Sequence, residues 1–402
     1  MEKLVDFRES ATGTNVVRPP VSPGIDRSAS TMTAPPLSRS QPGSPQATEQ
    51  TPRMRRRSLL SHIVTALTVV NALGVAALLL LISVVSEEWW LTAVLTYLPR
   101  LPWAVPSLLL LVVSLFANRT MAWVNGIAAI LVLGPVMGLS APVGTVPPAP
   151  DDAHILRIAT CNVQGGIGHL PKVLHELDLL DIDLLVAQEA VRDISELESH
   201  YADWHQLHIG EFWFGSRYPI RHLQTFRSEG FDRETAVAVE VDGPDGPFRV
   251  VNIHLSTARH GLMKLAWHSP FTDEGVKDFE WYQWQREVEA LDTAGFAVDQ
   301  TVIAPTLVLG DFNTPTTSSM FVKSWSRFTS AFESAGLGYG YTSPCNTGTH
   351  WPRNTPWLRI DHVLHDGRWH VHDCRIGRTD GSDHRLVMAT VSLRPEQNAD
   401  VE

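Results

Sequence analysis

Cysteine is scarce in this chain. Its 402 residues contain three, Cys161, Cys345 and Cys374, and no CxxC pair, which argues against a cysteine-built structural zinc site. Cys345 and Cys374 can bridge if their domain lies outside the cytoplasm, whereas Cys161 sits in an apolar strand and reads as a small buried side chain. There is no Walker A loop and no nucleophile elbow, so nucleotide-driven transfer and serine hydrolysis are poor rivals for the chemistry. No internal repeat is visible. A basic stripe is also missing: residues 151–402 hold 21 Lys and Arg against 36 Asp and Glu, while residues 1–150 hold 11 against 7. An acidic domain does not attract polyanions by bulk charge. A phosphodiester substrate would need a local reversal of the field, which a bound divalent cation supplies.

What the chain has in quantity is uncharged length. Residues 1–57 are rich in Ser, Thr, Pro and Gly and end in the basic cluster Arg53-Met54-Arg55-Arg56-Arg57. They read as a disordered cytoplasmic tail. Residues 58–143 follow as three apolar runs, 63–85, 101–117 and 121–143, each without charge and each of membrane-spanning character. Only Asn118-Arg119-Thr120 parts the last two, so a tight helical hairpin is expected. Trp89, Trp90 and Tyr97 lie between the first two runs, as interfacial aromatics do. The Arg53–Arg57 cluster and Arg119 should stay cytoplasmic, with Glu87 and Glu88 outside. Three crossings then put everything beyond them outside a multi-pass cell membrane, with the lipid bilayer as one partner. The Pro-rich segment 144–153 reads as a stiff linker, and 395–402 as a tail.

From residue 154 to 394 the pattern is mixed α/β. Strands are expected at 155–161, 184–187, 236–241, 248–254, 306–309, 360–364 and 387–391, and amphipathic helices at 171–180 and 279–298. Trp281, Trp284 and Leu291 share one helix face and read as core packing. The segment 259–278 lacks periodicity and mixes cations with aromatics, including Trp267, His268 and Phe271. It reads as a lid, as a loop dipping into the lipid interface, or as an ordinary surface excursion. Arg259, Lys264 and Arg353 are the few cations available to steer an anionic substrate.

Acidic, amide and imidazole groups recur at strand ends. In order they are Thr160-Cys161-Asn162-Val163, Val186-Ala187-Gln188-Glu189, Val251-Asn252-Ile253-His254-Leu255, Leu309-Gly310-Asp311-Phe312-Asn313, Arg359-Ile360-Asp361-His362 and Ser382-Asp383-His384. A carboxylate at the end of a strand has a rigid base and an open face, which suits a metal ion or an activated water. The ordered set resembles the endonuclease/exonuclease/phosphatase superfamily over residues 154–394. Single motifs are weak; GDFN, SDH and an upstream Gln-Glu in this order are specific. The stretch from Trp351-Pro352 to Asp361-His362 is similar to membrane-anchored bacterial members.

The resemblance implies a four-layer α/β sandwich of two packed mixed sheets flanked by helices. It implies a divalent-metal-dependent phosphoric ester hydrolase using Mg2+ or Mn2+. Glu189, with Asn162 and Asp383, would bind the metal; His254, Asp311, Asn313, Asp361 and His384 would be catalytic. Asp311 would position or deprotonate the attacking water, His384 would contact the phosphate with Asp361 orienting its ring, and His254 would lie near the leaving oxygen. Many nucleases of the family carry an Asp two residues after the Asn of the first motif. Here that place is Gln164, which puts a second metal in doubt and weakens a nuclease assignment. The expected function is a membrane-anchored phosphodiesterase, with a phospholipid headgroup favoured as substrate. The alternatives are an extracytoplasmic nuclease and a non-catalytic binding module of the same fold. No protein partner is indicated.

Overall fold

The computed structural model describes residues 59–142, 153–164, 169–265, 272–299, 304–345, 352–378 and 381–394. The expected tail and basic cluster, most of the linker, Trp267, His268, Phe271 and Trp351 lie outside them.

The N-terminal helices follow the uncharged runs with changed boundaries. Helix α1 (Leu59–Leu80) continues through a π turn and a 3-10 turn as far as Glu88. A short α2 (Trp90–Tyr97) then meets the segment Leu101–Ala117, which contains α3 (Ala104–Ala117), at a 98° bend. Asn118 alone separates α3 from α4 (Arg119–Leu131), and its side chain caps that helix by accepting from Thr120 N. Two of these helices are long and apolar enough to cross a membrane, or three if the bent pair counts as one span. The bundle buries an apolar cluster of Val75, Leu78, Ile82, Ala128 and Val132 together with a set of bonded polar side chains. Asn125 donates to Thr68 Oγ1 (2.8 Å) and Ser114 Oγ (3.0 Å), and Asn71 to Ser107 Oγ (2.9 Å), while Val70, Leu73, Leu109, Phe116 and Ile130 face outward.

Two six-stranded mixed sheets pack face to face behind this bundle. The first has β1 (Leu156–Asn162), β2 (Leu184–Gln188), β3 (His205–Ile209), β4 (Phe212–Ser216), β11 (Trp369–Ile376) and β12 (Val387–Leu393), in the order β11-β12-β1-β2-β4-β3. The second has β5 (Ile220–Ser228), β6 (Arg233–Gly243), β7 (Gly246–His254), β8 (Thr306–Asp311), β9 (Thr329–Ser330) and β10 (Asp361–His365), in the order β5-β6-β7-β8-β10-β9. Ile158, Val186, Phe214, Val239, Val250 and Leu309 interdigitate between them. Sheet one is covered outside by α5 (Leu170–Leu180) and α6 (Ser195–His200) through Leu177, Leu197 and Trp213. Sheet two is covered by α8 (Asp273–Ala297) and α9 (Ser319–Trp325) through Ala290, Ala294, Phe321 and Trp325. Covering both faces explains why β2 and β8 are apolar without alternation.

Several expectations change. The segment 259–278 is helical where described: α7 (Arg259–Lys264) precedes α8, which starts six residues before Phe279 because Thr272 caps it, accepting from Gly275 N. Trp281, Trp284 and Leu291 do share a face, but it is the exposed one, at 56%, 58% and 46% accessibility. The inner face of α8 instead carries Phe279 and Phe296 at its two ends with Arg286, Glu289, Ala290, Thr293 and Ala294 between them. All three cysteines are free and buried, so the possible Cys345–Cys374 bridge does not form. Tyr97 and Glu87 are buried too, since both dock against the catalytic half: Tyr97 Oη donates to Glu87 Oε1 (3.1 Å) and accepts from Arg286 Nη2 (3.1 Å).

Candidate active site

Strand register assembles most of the site. Parallel pairing of β1 with β2 sets Asn162 opposite Gln188, so Glu189 follows at the same edge. In sheet two, β7 pairs His254 with Asp311, and β10 pairs Asp361 with Asp311. Three reactive side chains thus stand in one row across adjacent strands. His384 approaches from the segment leading into β12, where Ser382 Oγ donates to Asn162 O (2.7 Å) and accepts from His384 N (3.2 Å). Below the row, Gln188 Nε2 donates to Asn252 Oδ1 (2.6 Å) and Asn252 Nδ2 to Ala187 O (3.0 Å), tying the two sheets together.

Glycine is required at one point. Gly310 has φ +147°, and a Cβ there would overlap Ile253 O, so only glycine lets β8 approach β7 this closely before Asp311. Gln164, Glu189 and Asn313 have φ of 51°, 54° and 50°. Non-glycine residues held in the left-handed region cluster where function over-determines the backbone.

Asn162 is the hinge of the constellation. Its Nδ2 donates to Glu189 Oε1 (2.9 Å) and to Asp311 Oδ2 (3.1 Å). His384 Nδ1 lies 3.0 and 2.9 Å from the two oxygens of Asp361, leaving Nε2 facing Asp311 Oδ2 at 3.7 Å. His254 Nε2 is 3.7 Å from Glu189 Oε1 and 3.9 Å from Asp311 Oδ2. Burial, reinforced by the charge of Asp361, drives the Asp311 carboxyl above the usual carboxylate range against the pull of His384 and His254. Burial would lower His384, but Asp361 and Asp311 outweigh it and raise its affinity for a proton. The geometry favours an imidazolium there, able to donate through Nε2.

Not every expected residue joins the cluster. Asp311, Asp361 and His384 are the described group whose ligand atoms lie within 4.8 Å of one another; Glu189 reaches it through Asn162. Asp383 is half-buried and meets Ser382 Oγ at 3.4 Å; it stands outside that group because the Ser382 bonds turn the chain so that His384 points inward. Asn313 gives an amide hydrogen to Leu255 O (2.7 Å), while its backbone N–H reaches Asp311 Oδ1 (2.9 Å), which leaves one amide hydrogen. Arg259 lines a cavity with Asn313 and His384. Lys264 ends α7, 3.9 Å from Asp278, and Arg353 lies on an exposed loop; neither lines that cavity.

Glu211 was not foreseen. It follows β3, in a stretch with no motif, yet its Oε2 meets His254 Nδ1 at 2.9 Å, and its Oε1 meets Arg233 Nη2 at 2.5 Å. Burial alone would lower the pKa of His254, but the Glu211 hydrogen bond and charge, with Asp311, raise it overall. Glu211→Gln is expected to bring the His254 pKa below its ordinary value, because burial persists without the opposing charge. The raised value stabilises the fold fully below pH about 6.5 and fades as pH rises through the folded pKa. An NMR titration of the His254 ring in the micelle-held full chain checks this; an unmoved pKa would assign the shift elsewhere.

The donors fit a hard divalent cation. Glu189, Asp311 and Asp361 offer carboxylate oxygens, Asn162 a carbonyl oxygen, and the set includes no thiolate. Among the described residues no lysine or arginine pairs with these three carboxylates, so the buried negative charge lacks a protein counter-ion other than imidazole.

The model for the endonuclease/exonuclease/phosphatase family matches residues 159–384. No curated protein sequence matches significantly. Among solved structures, the chain is similar to a family protein from Bacteroides thetaiotaomicron (13% identity, 61% of this chain and 100% of that one, TM-score 0.43). It is similar to a 3'-5' exonuclease from Neisseria meningitidis (18%, 58% and 98%, TM-score 0.44). A mannosyl-6-phosphatase from Bacteroides thetaiotaomicron is also similar (13%, 59% and 99%, TM-score 0.40). The family match takes in more than half of the chain, from the middle of β1 to His384, and the protein therefore belongs to the endonuclease/exonuclease/phosphatase family and is a phosphoric ester hydrolase.

Proposed function

We propose that the protein is a membrane-anchored, divalent-metal-dependent phosphodiesterase that cleaves phospholipid headgroups on the outer face of a cell membrane. The observation that carries this reading is the convergence of three carboxylates and two imidazoles, with no lysine or arginine among the described residues paired to those carboxylates, beside helices whose exposed face is apolar. Residues 1–57 would be the cytoplasmic tail, 58–143 the three-span anchor, 144–153 the linker and 154–394 the catalytic domain. The C-terminal continuation of α1, the bend before α3 and the segment just after α4 all contact the catalytic half: Ser86 Oγ accepts from Ser319 N, Arg100 donates to Thr317 Oγ1, and Tyr341 donates to Met137 O. Three crossings with the catalytic half on one side agree with that arrangement.

Held by Glu189 and Asn162, Mg2+ or Mn2+ would neutralise charge on the phosphoryl oxygens. Asp311 accepts the proton of the attacking water. His384, kept cationic by Asp361, donates through Nε2 to a phosphoryl oxygen. His254, oriented by Glu211, donates toward the leaving oxygen. The remaining amide hydrogen of Asn313 serves an oxygen that gains charge as the bond breaks. No covalent enzyme intermediate is required.

The test uses the full-length chain in detergent micelles with Mg2+. Bis(4-nitrophenyl) phosphate, phosphatidyl lipids, sphingomyelin and supercoiled plasmid are offered in parallel. Hydrolysis should stop with chelator, and Glu189→Gln should raise the Mg2+ needed for half-maximal rate by about tenfold or more. Plasmid nicking without lipid cleavage would move the assignment to a nuclease. No turnover on any ester would leave a binding module.

A further inference from the structure

A cavity of about 310 Å³ opens directly beside the proposed reaction centre, with His384 and Asn313 at one end. Most of its wall is apolar. Leu262 and Met263 come from α7, Pro344 and Ile360 from the segments before β10, and Trp357 closes the side. Tyr97, from the helical bundle, completes it. Phosphoryl chemistry does not require apolar surface, and a hydroxylated or charged substituent would be met by convergent polar groups. The lining therefore reports on what is attached to the phosphorus.

The mouth of the cavity points to the source of that substituent. Trp357 Nε1 donates to Tyr97 O (2.9 Å), which pins the cavity wall to the 98° bend between α2 and the segment Leu101–Ala117. Leu98, the residue after Tyr97, is 47% exposed, Leu101 is 52%, Trp103 is 41%, and Met263 on the facing lip is 65%. Met263 lines the cavity itself, and the other three follow Tyr97, a lining residue, within six positions of the chain. A protein in water gains nothing from such a rim, whereas a rim at the boundary of a bilayer lets an apolar chain pass without entering solvent.

We infer that this cavity is a subsite for the hydrocarbon part of a bilayer phosphoester, entered past Met263 and Tyr97 so that its phosphoryl group meets Asp311, His254 and His384. The inference rests on the phosphodiesterase reading and adds to it the part of the substrate that the anchor and the catalytic half recognise together.

The experiment uses the full-length protein held in amphipol, with Mg2+ and a series of monomeric alkyl 4-nitrophenyl phosphodiesters from methyl to octyl. kcat/KM should rise by about fourfold per methylene until the cavity is full. Met263→Glu and Leu262→Asn should each cut the octyl-to-methyl ratio of kcat/KM by at least about tenfold. The ratio is insensitive to the fraction of protein folded. A flat series with the methyl ester still cleaved would overturn the subsite and leave the hydrolase reading intact. A steep series retained in both variants would overturn its location, and no cleavage of any member would overturn both readings.

Discussion

Asp311→Asn is expected to lower kcat by about 10³-fold or more while making the folded protein's stability less dependent on pH. Asparagine has the same shape, and its Oδ1 can still accept from Asn313 N, so the turn after β8 persists. What disappears is the proton acceptor, the oxygen that accepts from Asn162 Nδ2, and the negative charge that both His254 Nε2 and His384 Nε2 face. The stability side has a definite sign. Because burial raises the Asp311 pKa above its unfolded value, the folded state prefers the protonated form. Its contribution is favourable below the unfolded value of about 3.9 and is lost as pH rises through the folded pKa. With chelator present, the Tm of the variant relative to wild type should therefore rise between pH 4 and pH 7. Full activity in Asp311→Asn would mean that Gly310-Asp311-Phe312-Asn313 is only a turn.

The residues legible in the sequence are those whose position follows from strand ends. Asn162, Glu189, His254, Asp311 and Asp361 each terminate or open an apolar run, and sheet register then brings them together without further information. Alternation along β10 selects between neighbours in Asp361-His362: Asp361 faces the site, while His362 turns to Phe312 and Phe321 on the helix side, with ring centroids 5.1 and 4.9 Å apart. Strands without an apolar run were illegible. His205-Gln206-Leu207-His208-Ile209 in β3, the exposed alternation of β5, and the imidazoles of β11 hide the period-two signal. Glu211 was lost with β3. The spans were visible because charge is absent from them, but their docking was not. Glu87, Tyr97 and Arg100 find partners about 190 to 235 residues away, and single polar residues at such separations leave no periodic trace. Arg286 looks like an ordinary solvent-side arginine on a long helix until the contact with Tyr97 is known.

Arg286→Met should destabilise the full-length protein by about 3–5 kcal/mol, lowering its apparent Tm by roughly 10 °C. The buried guanidinium donates to Ser256 O (2.9 Å), Gln283 Oε1 (3.1 Å), Tyr97 Oη (3.1 Å), Asn313 O (3.0 Å) and Thr314 Oγ1 (3.2 Å). Methionine fills much of the same space but satisfies none of these acceptors. It also strips the counter-charge from Glu87, which is 2% exposed and reaches Arg286 through the Tyr97 hydroxyl. Two of the lost bonds hold the backbone on either side of the reaction centre, at Ser256 and Asn313, so kcat should fall together with Tm. Tyr97→Phe, which removes only the relay, should cost about 1 kcal/mol. The informative variant is the double change with Glu87→Gln. If the anchor and the catalytic half share one buried charge network, neutralising both ends should recover part of the loss, giving a coupling of about 1 kcal/mol or more. Additive losses, or a wild-type melting curve for Arg286→Met, would mean that Arg286 and Glu87 do not couple the two halves and that this network does not help to build the site.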